Sequence, residues 1–276
     1  MLRVAKDRVD VLLTQIYEVQ KARYLRPALA GNLFGRLMFC SSQYFGRLGR
    51  SMIRAFSRRQ HDAKQNGWNR QLESACRFWL HNLPNGRARE VPVDFQSKPL
   101  VISYPDGEGS TAAVGVAIWS KDHDTEAGYI KTPLSIRRLW SRQREIGGEH
   151  CDILEIEAIG PALVIATWPE RLRDALWIHF IDNETALAAM IKGGSSVHSA
   201  DVIAAWCAGR TAALGTWVWY DRVDTKSNPD DGLIRGDMTG PWRLISLKFP
   251  PSLRDALTAY LNEPLPSVKV ARAPKL

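Results

Sequence analysis

Through the first eighty residues, apolar positions recur at the helical period. Val9, Leu12, Leu13, Ile16 and Tyr17 share one face of residues 5–23, with Asp10 and Glu18 on the other. Pro27 suits the first turn of a second helix, in which Leu29, Leu33 and Leu37 recur every four residues to about Cys40. Arg47, Arg50, Arg54, Arg58 and Arg59 then recur mostly every three or four residues over 46–60, with Met52, Ile53 and Phe56 between them. A helix there turns the apolar residues inward and predicts an exposed basic face. A further helix is predicted from Asn69 to Asn82. The stretch from His81 to Lys98, with Pro84, Gly86 and Pro92, reads as a linker.

After Lys98 the pattern changes. Pro99 to Tyr104 is an apolar run ending in Pro105-Asp106-Gly107, which predicts a strand and then a turn. Thr111 to Trp119 and Gly128 to Thr132 are the next candidate strands, and the charged stretch 133–150 reads as irregular. Ile153 to Trp168 is a buried helix that Gly160 and Pro161 are expected to bend or delay. Ala175 to Ile181 is a strand, and Asn183 to Lys192 is a helix stopped by Gly193-Gly194. Ser199 to Leu214 is a helix with Ser199 as its cap, and Thr216 to Val223 is a strand. A short turn or helix follows Asn228-Pro229, and the tail from Glu263 is expected to be loose. Strands mixed with helices predict an α/β layered domain over residues 96–240, between a basic helical segment (1–95) and a C-terminal tail (241–276).

Charge sharpens this division. Residues 1–95 hold 17 Lys and Arg against 7 Asp and Glu, whereas the remainder holds 20 against 22. A basic arm joined to a near-neutral domain suits a polyanionic partner. No apolar run is long enough to span a bilayer, and Arg3, Lys6, Asp7, Arg8 and Asp10 stand where a secretory signal would be apolar. Cys40, Cys76, Cys151 and Cys207 are widely spaced with no C-x-x-C pair, which predicts neither a zinc knuckle nor a disulfide framework and places the chain in a reducing, intracellular setting, cytoplasm or nucleus.

The candidate chemistry lies in the acids of the second half. Asp106 ends the first strand, Glu157 stands near the start of the buried helix, Asp182 ends the strand Trp177–Ile181, and Asp231 opens the final turn. An unpaired charge beside an apolar run is costly. Oxygen ligands without His or Cys suit a hard cation such as Mg²⁺, and a pair of such ions can cleave a phosphodiester. Taken singly, Asp106 reads equally as a turn residue and Asp231 as a helix cap.

The words around these acids carry a resemblance. F-I-D-N-E-T-A-L-A-A-M-I-K-G-G-S-S (Phe180 to Ser196), V-D-T-K-S-N-P-D-D-G-L-I-R (Val223 to Arg235), S-Y-P-D-G (Ser103 to Gly107) and I-E-A-I-G-P-A-L-V-I-A-T-W (Ile156 to Trp168) resemble, in order, four motifs of the ribonuclease H domain of retroelement reverse transcriptases. Leu29 to Arg50 is similar to the thumb-like region that precedes that domain. The resemblance implies a mixed five-stranded sheet flanked by helices. It implies Asp106, Glu157, Asp182 and Asp231 as catalytic metal ligands for two Mg²⁺, with Mn²⁺ as an alternative. Glu155 competes with Glu157, and Asp230 with Asp231. The implied reaction is endonucleolytic cleavage of RNA in an RNA–DNA hybrid, with Arg47, Arg50, Arg54 and Arg58 tracking backbone phosphates. The Asp-Asp pair of a polymerase palm is missing outside Asp230-Asp231, so a polymerase module would act in cis or in trans. A non-enzymatic alternative is a retroelement remnant that keeps the fold and binds nucleic acid without cutting it.

Other candidates weigh less. Asp106-Gly107-Glu108-Gly109 lacks the Lys-Ser/Thr of a phosphate loop. His150 beside Cys151 has no partners at metal spacing. Ser195, Ser196, His198 and Ser199 lack a nucleophile elbow. Trp168, Trp177, Trp206, Trp217, Trp219 and Trp242 read mainly as core, with one or two available to stack on bases.

Overall fold

The computed structural model describes residues 3–62, 68–90, 94, 97–147, 152–195, 197–229, 231–235, 237 and 239–261. Four helices come first: α1 Lys6–Ala22, α2 Pro27–Gln43, α3 Arg50–His61 and α4 Arg70–Asn85. Their apolar faces meet in one cluster in which Leu12, Ile16, Leu33, Leu37, Ile53, Phe56 and Trp79 are fully buried. Between α2 and α3 the chain turns tightly at Gly49, with φ of 88°; a Cβ there would stand 2.4 Å from the Trp79 ring. The predicted linker from His81 starts late, because α4 continues to Asn85 with Pro84 in its last turn.

The second unit is a mixed sheet of β1 Leu100–Glu108, β2 Ala113–Ser120, β3 His123–Lys131, β4 Leu176–Ile181, β5 Trp217–Arg222 and β6 Arg243–Leu244, in the order β5-β4-β1-β2-β3-β6. β1, β2 and β3 form an antiparallel meander, while β4 and β5 run parallel to β1. The helices are α5 Leu134–Gly147, α6 Ile153–Thr167, α7 Pro169–Leu172, α8 Glu184–Lys192, α9 His198–Leu214 and α10 Pro251–Leu261. α6 is central. Every residue from Leu154 to Ile165 is buried, between β1 and β2 on one side and α8 and α9 on the other.

Several local expectations are corrected. β1 does not turn at Pro105-Asp106-Gly107 but runs through it, with Asp106 opposite Gly115 of β2. Pro105 is tolerated because the β4 ladder stops at Ser103 opposite His179, and beyond it β1 pairs only with β2. The stretch read as irregular holds α5, whose Ile136, Leu139 and Trp140 enter the core. Pro161 neither delays nor ends α6, since burial on all sides holds the helix. Ser199 is not a cap; its hydroxyl donates to Glu155 Oε1 at 2.5 Å. Residues 241–261, read as a tail, join the second core. Arg243 of β6, Arg171 and Trp168 all bond the buried Glu126 carboxylate, and Leu253 and Leu257 of α10 are fully buried. The loose tail expected from Glu263 lies outside the described residues.

The helical unit docks on the α/β unit through α3. Its apolar face is used inside its own core, and its arginine face meets α9. There the buried Asp201 accepts the Ser195 N–H at 3.1 Å, with Arg54 and Arg58 close enough to stabilise its charge. Burial nonetheless wins and pushes the Asp201 carboxyl up to about 6, against the pull of the Ser195 N–H and the two arginines. A carboxyl raised in the folded state costs stability wherever the unfolded chain has ionised, so this cost is absent below the ordinary value of 3.8, grows from there to about pH 6 and then levels off. Asp201→Asn cannot ionise. Thermal melts are therefore expected to show the variant and wild type together below pH 3.8, and the variant a few degrees higher above pH 7. Parallel curves at all pH values would contradict this account.

Candidate active site

Two adjacent parallel strands supply the first two acids. Ser103 and His179 are paired across β1 and β4; three residues further on each strand stand Asp106 and Asp182. They therefore sit level, Asp106 within the last residues of β1 and Asp182 just past the end of β4. The third acid comes from α6, brought down by two glycines. A Cβ on Gly160 would stand 2.5 Å from Pro105 Cβ, and one on Gly107 would stand 2.8 Å from Ile156 Cγ2 and 3.0 Å from Glu157 Oε1. The close approach places Glu157 over the end of β1.

Asp106, Glu157 and Asp182 each present a carboxylate oxygen, and these three atoms lie within 4.8 Å of one another. They line an open cleft of about 570 Å³ together with Asp231, Thr225 and Arg235. Asp106 Oδ1 accepts the Gly107 N–H at 2.9 Å, while Oδ2 is buried with no hydrogen-bond partner. Asp182 Oδ2 accepts from the Thr225 hydroxyl at 3.0 Å, and its Oδ1 is likewise buried and unbonded. Burial first, and then the charges of Asp182 and Asp231, push the Asp106 carboxyl up to about 6 against the Gly107 N–H and Arg235. At such spacing a pair of like charges repels by ~4 kcal/mol at an effective dielectric near 20. The Gly107 N–H and Arg235 offset only part of that at Asp106, whose carboxyl is still raised. A hard divalent cation would offset the rest, and an all-carboxylate donor set with two unbonded buried oxygens fits Mg²⁺ or Mn²⁺.

The two glutamates of α6 separate cleanly. Two residues apart, they project ~200° apart around the helix. Glu155 faces α9 and is held by Ser199; Glu157 faces the cleft. Asp231 lines the same cleft but lies outside the group of three, and its Oδ1 accepts from Arg235 Nη2 at 2.7 Å. Its alternative, Asp230, is outside the described residues. The loop carrying Asp231 is pinned by Asn228, whose buried side-chain amide donates to the Pro105 carbonyl at 2.8 Å, one residue before Asp106.

Sequence reasoning gave no role to Thr225 or Arg235; the one available signal was the four-residue spacing of Asp231 and Arg235. The arginine track is corrected in its exposure. Arg50, Arg54 and Arg58 are half-buried, not exposed. Arg54 and Arg58 face Asp201, and Arg58 Nη1 donates to Gln71 at 2.8 Å, because a carboxylate buried at the α3–α9 contact needs cations beside it. Arg59 is buried and donates to the Leu25 and Asp62 carbonyls. Arg47 lies in the 3-10 turn Phe45–Arg47, and its side chain is outside the described set. His150 and Cys151 fall outside the described residues as well.

No protein-family model matches this sequence, and no curated protein matches it. No helix among the described residues is long and apolar enough to cross a membrane.

The repulsion in the cleft makes a stability prediction. In chelator at neutral pH, Asp106→Asn removes a buried charge while keeping its shape, and is expected to raise the melting temperature by roughly 3–6 °C. Mg²⁺ or Mn²⁺ is expected to raise the wild-type melting temperature in a concentration-dependent way, and to raise that of Asp182→Asn far less. Scanning calorimetry with and without each metal measures both. Equal metal shifts in the two proteins would move the cation away from this cluster.

Proposed function

We propose that this chain is a ribonuclease-H-like endonuclease that hydrolyses the RNA strand of RNA–DNA hybrids, as the C-terminal part of a retroelement reverse transcriptase. The observation that carries the reading is the meeting of Asp106, Glu157 and Asp182, from β1, α6 and β4, at one point. Those are the elements on which the resemblance sets its first three acids. The mixed sheet with flanking helices and the place of Asp231 on the same cleft support it further.

Asp106, Glu157 and Asp182 are the residues that would hold two Mg²⁺, or Mn²⁺, with Asp231 as the fourth ligand. Ions bound there supply an activated water and stabilise the leaving oxygen of a phosphodiester. The chain's own contribution is preorganisation. The Gly107 N–H and the Thr225 hydroxyl fix the orientation of Asp106 and Asp182. Asn228 holds the Asp231 loop against β1. Arg235, exposed at the rim, offers its guanidinium to a phosphate oxygen, and in doing so releases Asp231 toward the other three acids. The excess positive charge of residues 1–95 draws in the polyanion without reading its sequence.

A second reading has one observation in its favour. The Asp231–Arg235 pair leaves three carboxylates, not four, in the group. A remnant that binds nucleic acid and does not cut it would keep that pair closed.

Cleavage of an end-labelled RNA–DNA hybrid decides between them. Wild type is expected to cut the RNA strand with Mg²⁺ or Mn²⁺ and to leave an all-DNA duplex intact, since the 2′-hydroxyl marks RNA. Asp182→Asn is expected to lose roughly 100-fold or more in rate, beyond what loss of an outer-shell partner costs, while hybrid binding persists. Cutting in excess chelator, or full activity in Asp182→Asn, would rule out the metal mechanism. Hybrid binding with no cutting under any divalent metal would favour the remnant.

A further inference from the structure

A second concavity, of about 470 Å³, runs along β5. β5 is an edge strand, and its residues Trp217 to Tyr220 form one wall in sequence. The opposite wall comes from the helical unit: the end of α2, the 3-10 turn after it, Arg50 at the start of α3, and Arg89 beyond α4. Phe45 of that turn meets Trp217 edge-on at 4.7 Å and closes the floor. No carboxylate stands among the described residues that line the groove, whereas two arginines do.

Trp219 is the unusual member. It is 66% exposed, although it lies in a strand and is one of the largest side chains in the protein. Its indole N–H is already bonded to Asp221 Oδ2 at 3.3 Å, so what it offers a ligand is ring surface. Asp221, the acid beside the ring, also accepts the Arg222 N–H at 2.8 Å. An exposed ring that shares a groove with two arginines suits a polyanion that carries flat bases. Along β5 the groove also lies near the level of the acidic cleft. Ile181 of β4 pairs with Arg222 of β5, and Asp182 follows Ile181. Trp219 is three residues back along β5, on the order of 10 Å from that level.

We propose that this groove binds a single-stranded stretch of nucleic acid leaving the acidic cleft, with a base stacked on Trp219 and phosphates paired to Arg50 and Arg89. The proposal shares with the nuclease reading only the class of substrate; it needs neither metal nor cleavage. It assigns a role to Trp219 among the six tryptophans that the sequence alone left equivalent, and keeps Arg50, of the basic helix, for phosphate while Arg54 and Arg58 serve Asp201.

Fluorescence anisotropy with the full chain, in chelator, using short labelled oligo(dT) and oligo(rU), tests it. Trp219→Ala is expected to weaken binding of both by roughly 5- to 100-fold, and Trp219→Phe to restore most of the loss, as stacking on one base requires. Arg89→Gln and Arg50→Gln are each expected to lower the slope of log K against log salt by ~0.7. Circular dichroism melts confirm that each variant is folded. Wild-type affinity in Trp219→Ala, or an unchanged slope in the double arginine variant, would overturn the proposal. So would failure to bind either oligonucleotide in a chain that dimerises by light scattering and becomes monomeric on Trp219→Ala; that result would give the β5 edge to a second copy. Trp219-dependent binding without metal-dependent cutting defeats the nuclease reading alone, and cutting without Trp219-dependent binding defeats the groove alone.

Discussion

The descent of α6 onto β1 is the contact on which both the core and the site depend. Gly160 against Pro105, and Gly107 against Ile156 and Glu157, let helix and strand backbones approach closer than any side chain would allow. The same approach buries α6 on every side. A helix buried all round has no solvated face for a charge, yet this one carries two glutamates in its first turns. Each must be met from outside the helix. Glu155 is met by Ser199 of α9, which ties the helix layers together. Glu157 stands with two more acids in a group that could hold a metal ion. One close contact thus places a carboxylate tied to α9 and a carboxylate facing the cleft two residues apart.

The helical unit obeys a parallel logic. α3 divides its surface between two cores. Ile53 and Phe56 go to the four-helix cluster, and the arginines go to α9 and Asp201. A carboxyl that burial raises to about 6 even beside two arginines is poorly compensated. Arginine is suited to such a place, since its delocalised charge is more weakly hydrated than an ammonium and sheds water at lower cost. Basic charge here has an internal use at Arg54, Arg58 and Arg59, while Arg50 and Arg89 line the β5 groove.

Much of the fold was legible because its elements are amphipathic or uniformly apolar. The periods of Leu12 and Ile16, and of Leu33 and Leu37, mark α1 and α2, and the run Trp177–Ile181 marks β4. α5 was not legible: its buried Ile136, Leu139 and Trp140 are diluted by charged neighbours, so local composition concealed the helical period. The extension of β1 through Pro105 could not be read either, because it depends on where the β4 ladder stops, a tertiary fact. The placement of three acids on a strand end, a buried helix and a strand end was visible in one dimension. Their convergence was not, nor was the choice of Glu157 over Glu155, which rests on the rotation of α6 about its axis. The exposed basic face failed for a related reason. Spacing shows that arginines share a side of a helix, and says nothing about what lies across from that side.

On the two proposals together, the cleft and the β5 groove would meet the same kind of ligand with opposite electrostatics. At the cleft, three carboxylates repel a phosphate until a cation intervenes, and Arg235 is the nearby positive group in the described structure that touches both Asp231 and the field at Asp106. At the groove, arginines and an exposed ring would attract it unaided. A polyanion would thus be held first away from the acids, by contacts that need no metal, and presented to them only when their charge is neutralised. Affinity and chemistry would then be separated in space by a few residues of β5, so that each could be removed by mutation without dismantling the other.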